Sequence, residues 1–280
     1  MDPFSPTVAE VANFLADQFK EGKSYRTINV YRSMLSSSLA PVDNYQVGQH
    51  PVIVKVMTGA RVSRPPEPRY SSTWDVNVVT SYLKSLPGEL NLIALSKKLV
   101  MLLALCSANR IGELAALDLE FECREPDGIR FVLPVLTKTQ RSGPSKEVFF
   151  PSFPSDPLLC PVSCIELYKE KTQDIRERLE SRRLLITAKK PHRPVSTATI
   201  ARWIKDVLQA SGIDISTFKA HSTRGAATSA AKAAGVSGND ILKTASWTSE
   251  STFNKFYYRP RSSSVFARGA LGLYPRLVLL

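Results

Sequence analysis

The sequence predicts a mostly α protein with one small antiparallel β-sheet (α+β), divided into a helical N-terminal domain and a larger mixed domain. Three observations carry this. Apolar residues recur at helical spacing behind good capping residues along most of the 280-residue chain. Two neighbouring runs, 128–134 and 147–150, have β character and are joined by the turn-rich T-K-T-Q-R-S-G-P. A stretch rich in proline and arginine, R-V-S-R-P-P-E-P-R-Y-S-S-T-W-D (61–75), cannot continue a helix and sets a domain boundary near residue 65, giving domains 1–64 and 65–280.

Residues 5–20 form the first predicted helix, with Ser5 as cap, Pro6 in its first turn, and Val8, Val11, Phe14 and Leu15 on one face. A second amphipathic pattern runs over 24–39 through Ile28, Tyr31, Met34, Leu35 and Leu39. Val52 to Met57 suggests a short third helix. Beyond the basic linker, Asp75 caps a helix reaching Leu86. Residues 94–107 make a strongly apolar, buried helix, and R-I-G-E-L-A-A-L (110–117) a second helical piece. After the two strands come a helix following Pro161, a short strand in L-L-I-T-A, and a helix over 197–211 with Ile200, Ile204 and Leu208 on one face. The alanine-rich stretch from Ala220 to Ala234 is helical and is stopped by Gly235. Segments 238–246 and 251–258 complete the set.

With 43% hydrophobic residues a sizeable core is available, while 37 basic against 25 acidic residues leave a formal charge of +12. That excess favours a polyanionic partner, with nucleic acid ahead of an anionic membrane surface. Cys106, Cys123, Cys160 and Cys164 lie apart and read as reduced thiols of an intracellular protein. No second Cys/His pair follows Cys160 and Cys164 at finger spacing, so no zinc site is expected. The start, M-D-P-F-S-P-T, has no apolar signal region, and no apolar run approaches the roughly 20 residues that span a bilayer.

Six side chains have the chemistry to handle a phosphodiester: Arg110, Lys138, His221, Arg224, Trp247 and Tyr257. Two arginines can hold the non-bridging oxygens of one phosphate. A histidine, a lysine and an indole N–H can donate or exchange protons, and a tyrosine can attack phosphorus. His221 and Arg224, one helical turn apart in H-S-T-R, share a face. Glu113, three positions beyond Arg110, can orient it. Lys138 is placed at the tip of the predicted hairpin, with Arg141 and Lys146 nearby. Taken singly, each has a plain structural explanation: an Arg–Glu pair, a solvated turn lysine, core aromatics. Their order along the chain raises them together.

In that order the sequence resembles the tyrosine recombinase (phage integrase) family. R-I-G-E-L-A-A-L matches the first arginine box, H-S-T-R the His-x-x-Arg box, and W-T-S-E-S-T-F-N-K-F-Y-Y-R (247–259) the His/Trp-to-Tyr box. It is most similar to the eukaryotic DIRS-like and Crypton-like transposon recombinases, where the third box carries Trp and where R-P-P-E-P-R-Y-S-S-T-W-D-V (64–76) has counterparts. The resemblance spans roughly residues 25–262. In many bacterial relatives the tyrosine falls nine positions after the His/Trp, where this chain has Phe256, so Tyr257 is chosen and Tyr258 is the alternative nucleophile. Gly225 stands where many bacterial members have histidine.

The resemblance implies a helical, SAM-like core-binding domain over 1–64 and a catalytic domain with a C-terminal tail over 65–280. It implies strand cleavage through a 3′-phosphotyrosyl bond, with Tyr257 as nucleophile, Arg110 and Arg224 on the phosphate, Lys138 as general acid, His221 on the tyrosine proton or a phosphate oxygen, and Trp247 as indole donor. It further implies no metal or other cofactor, double-stranded DNA as partner with Arg61, Arg64, Arg69 and Arg141 along its path, no membrane association, a four-protomer synapse, DNA integration as the setting, and a nuclear location. A type IB topoisomerase shares the Arg–Lys–Arg–Tyr chemistry. A transposon-derived DNA-binding protein without catalysis and a basic helical scaffold are the other readings.

Overall fold

The computed structural model describes residues 5–67, 70–135, 144–247, 250, 253–254 and 257–258. The chain divides into two compact units, Met1–Arg69 and Tyr70–Leu280.

In the first unit, α1 (Val8–Lys20) is capped by Thr7 and not by Ser5. The Glu10 N–H donates to Thr7 Oγ1 at 3.3 Å and the Thr7 N–H donates to the Glu10 carboxylate at 2.8 Å. This reciprocal pair needs the T-x-x-E spacing, which Ser5 lacks. Helix α2 (Tyr25–Ser38) is capped by Ser24. Helix α3 (Pro51–Ser63) runs a turn and a half further than the expected Val52–Met57, stopping just short of Pro65. Arg61 therefore lies in its last turn. Val11, Leu15, Ile28, Val47, Ile53 and Met57 form this unit's core.

The second unit begins with α4 (Val76–Ser85), capped by Asp75, and α5 (Leu92–Ser107), capped by Asn91. Helix α5 is buried over most of its length, and the elements that follow it are α6 (Ile111–Ala115), strands β1 (Glu122–Glu125), β2 (Gly128–Val132) and β3 (Glu147–Pro151), then α7 (Pro161–Lys171), α8 (Gln173–Arg176), α9 (Thr197–Ala210), α10 (Ser222–Ala233) and α11 (Gly238–Ala245). Contacts of α5 reach α6, α7, α9, α10 and β3. The sheet is antiparallel in the order β1-β2-β3, with Val132 opposite Glu147 and Gly128 opposite Pro151. Ile129, Phe131, Val148 and Phe150 give it one apolar face on α5. Gly128 has to be glycine, because a Cβ there would lie 2.3 Å from the Phe150 carbonyl oxygen. The L-L-I-T-A segment (184–188) joins no named strand; Ile186 forms a single bridge to Pro194, and Arg183 just before it bridges Asp118. A satellite cluster of Ala108, Ile241, Ala245, Trp247 and Phe253 closes the end where the predicted catalytic residues gather.

Candidate active site

The first arginine is positioned by a sharp turn. Helix α5 ends in Ala108, a non-glycine residue in the left-handed region (φ 47°). Asn109 is buried behind it, and Arg110 becomes the N-cap of α6. The Glu113 carboxylate accepts from the Arg110 backbone N–H at 2.9 Å and from Arg110 Nη1 at 3.0 Å, so one acid fixes both the helix start and the guanidinium.

Lys146 lies in this cluster. Its Nζ donates to Glu113 Oε2 at 2.9 Å and to Asn109 Oδ1 at 2.6 Å. It sits at the foot of the hairpin, where its carbonyl accepts from the Leu133 N–H at 2.8 Å. Burial alone would raise the Glu113 pKa, but the Lys146 ammonium and the Arg110 donors outweigh it and hold the carboxyl below its usual range. Burial lowers the Lys146 pKa; Glu113 opposes the shift, and the charges of Arg224 and Arg110 reinforce it.

The second arginine is almost fully enclosed, at 3% exposure, in the first turn of α10. Arg224 Nη2 donates to the carbonyl oxygen of Ala245, the last residue of α11. Its guanidinium carbon lies 4.6 Å from the Trp247 ring centre and 5.4 Å from that of Tyr257. Burial first, then the like charge of Arg110, bring its pKa down to about 10, so it remains cationic at neutral pH. Trp247 follows Ser246, a second non-glycine residue in the left-handed region (φ 50°).

The Tyr257 ring lies 4.3 Å from the Trp247 ring and 5.9 Å from the His221 ring, centre to centre. Its carbonyl accepts from Ser229 Oγ at 3.2 Å, tying the tyrosine segment to α10. The Tyr258 ring turns to Phe253, at 5.5 Å. Arg110, Glu113, His221, Arg224, Trp247 and Tyr257 are thus brought together, with His221 exposed at the rim. Among the described residues, Arg224 Nε and Nη1, Trp247 Nε1 and Asn109 Nδ2 are buried donors with no acceptor. Buried donors of this kind are normally satisfied, and two guanidiniums, an ammonium and these N–H groups around a single carboxylate suit a tetrahedral oxyanion.

Several expected positions take other roles or fall elsewhere. Lys138, Arg141 and Arg69 lie outside the described residues. Arg61 is exposed on α3. Arg64, expected on the DNA path, is also exposed, but two of its donors reach the carbonyls of Lys23 at 3.0 Å and Phe19 at 3.4 Å, and the guanidinium lies 4.3 Å over the Phe19 ring. Asn109 carried no signal in the sequence. For Lys146 the only signal was nearness to the hairpin. No group of three or more His, Cys, Asp or Glu that could hold a metal occurs among the described residues, and none of their helices is long and apolar enough to cross a membrane.

No protein-family model matches the sequence, and no curated protein sequence matches it. Solved structures do. The Tn1549 transposon integrase in complex with transposon right end DNA is 14% identical, covering 100% of this chain and 88% of its own, with a TM-score of 0.61. Lambda integrase, as a dimer bound to a COC′ core site, is 17% identical over 94% of this chain and 83% of its own, TM-score 0.53. XerA recombinase is 16% identical over 96% and 92%, TM-score 0.52. Across the two units, the fold of this chain is that of the tyrosine recombinases and integrases.

Proposed function

We propose that this protein is a site-specific tyrosine recombinase that cleaves and rejoins duplex DNA in the integration of a mobile element. One observation carries the reading: the Tyr257 ring lies against His221, Trp247 and Arg224, beside buried N–H donors suited to a phosphate. Arg224 and Arg110 hold the non-bridging oxygens and stabilise the charge that builds on them in the transition state. Tyr257 Oη attacks phosphorus and its proton passes to His221. The bond from phosphorus to the 5′-oxygen breaks, and a lysine protonates the departing oxygen. One phosphodiester is exchanged for another, so the reverse attack by a 5′-hydroxyl reseals the strand without an energy source.

Two lysines compete for the proton. Lys138 has the place that the resemblance assigns. Lys146 is supported by its position beside Glu113 and Asn109 and by its lowered pKa. The Trp in the third box supports the DIRS-like and Crypton-like branch, and with it a four-protomer synapse and action in the nucleus of a eukaryotic host.

The test is covalent capture from a pool of synthetic duplexes with a randomised core, run in excess chelator and stopped with detergent. The wild-type chain is expected to yield a DNA adduct. Tyr257→Phe should abolish it while retaining binding, and Tyr258→Phe should leave it intact. Loss of the adduct in Tyr258→Phe alone would move the nucleophile by one residue. Binding with no adduct from the wild type would favour a non-catalytic DNA-binding protein.

A further inference from the structure

The turn that carries His221 and Arg224 is held from an unexpected direction. Trp74, which immediately precedes the cap of α4, is 5% exposed, and its indole Nε1 donates to Ser222 Oγ at 2.9 Å. Nearby in sequence, the Tyr70 ring lies 5.9 Å from that of Phe218, which leads into the same turn. The segment that opens the second unit is therefore fastened to the segment 218–222.

Helix α10 has particular need of such a bond. Its buried residues are Ser222, Thr223, Arg224, Ala226, Thr228 and Ser229, with no large apolar side chain among them. Large interlocking side chains are what normally fix a helix's rotation about its own axis. Where they are lacking, directional hydrogen bonds must do it. Later in the helix, Arg224 donates to Ala245 and Ser229 to Tyr257. At its first residue, Ser222, the side chain accepts the bond from Trp74.

We propose that Trp74 is a positioning residue for the H-S-T-R turn: its bond to Ser222 sets the rotation of the start of α10, and so the placement of His221 and Arg224 on the scissile phosphate. This rests on the recombinase reading. Trp74 itself touches no reacting atom.

The experiment uses the full chain and the duplex captured by the wild type, with Trp74→Phe, Ser222→Ala and the double variant. Three quantities are measured: Tm, DNA affinity, and the single-turnover rate of adduct formation at saturating DNA. Each single change leaves one buried polar group without its partner, which lowers Tm by a few degrees. The double variant removes both partners and should regain the part of that Tm owed to the unpaired group, while the smaller Phe ring keeps its own packing cost. A purely structural bond predicts that its rate returns as well. Positioning predicts that the double variant keeps its affinity and regains that part of its Tm, yet remains up to about 10²-fold slow, the cost of a small misplacement of reacting groups. Recovery of the rate along with Tm, or full rate in Trp74→Phe, would overturn the proposal. A wild type that captures no duplex would overturn the recombinase reading and this role with it.

Discussion

Glu113 is the hinge of the site's electrostatics, because a single carboxylate serves Arg110 and Lys146 together. Its folded pKa is lowered relative to the unfolded chain, so the stability it contributes is complete above about pH 4.5 and is lost as pH falls through the folded value. Glu113→Gln removes the charge but keeps the shape. At pH 7 it should cost about 3 kcal/mol, the usual price of breaking a buried ion pair. Thermal melts of the two proteins should converge as pH drops below about 4.5; a gap that persists in acid would show that the carboxylate's charge is not the cause. The two lysines can be separated chemically. Replacing the bridging 5′-oxygen of the substrate with sulfur creates a leaving group that needs little protonation. Alanine at the true general acid should slow normal DNA by about 10²–10⁴-fold and recover on the sulfur substrate. Alanine at a lysine that only braces Glu113 should not recover, and neither should Arg110→Ala or Arg224→Ala if, as proposed, they act on the non-bridging oxygens.

At the scale of elements, both arms of the site hang from left-handed turns occupied by non-glycine residues: Ala108 before Asn109–Arg110, and Ser246 before Trp247. An L-residue in that region costs roughly 1 kcal/mol. Ser246→Gly should therefore raise Tm by about 2–4 °C, and a scanning calorimetry trace showing a fall would mean that the serine side chain stabilises the turn. Neither turn was legible in the sequence, because neither has glycine or asparagine at its left-handed position. What was legible were the helices with side-chain caps, such as those behind Ser24, Asp75 and Ser196, and the strands with apolar alternation. Strand β1 was missed because E-C-R-E has no such alternation; it exists by pairing along the edge of β2. The arginine, histidine, tryptophan and tyrosine positions were legible through their order. Lys146 was not, since its partner Glu113 is brought to it only by the packing of the sheet on α5.

For the whole molecule, the net charge of +12 predicts binding that weakens steeply with salt, with a log–log slope of about −0.9 for each duplex phosphate neutralised. Arg61 and Arg64, towards the end of the first unit, should respond differently. Arg61 is exposed on the last turn of α3, so on the proposed DNA path Arg61→Ala should make the slope shallower by about one and leave Tm unchanged. Arg64 is turned onto the Phe19 ring and the carbonyls of Phe19 and Lys23. Arg64→Ala should lower the stability of the first unit and change the slope less than Arg61→Ala does, because two of its donors are already held by the carbonyls of Lys23 and Phe19. Salt titrations of binding run beside thermal melts separate the two. A slope change in Arg64→Ala equal to that of Arg61→Ala would show that DNA draws this guanidinium off Phe19, and a flat salt response from the wild type would remove the nucleic-acid partner altogether.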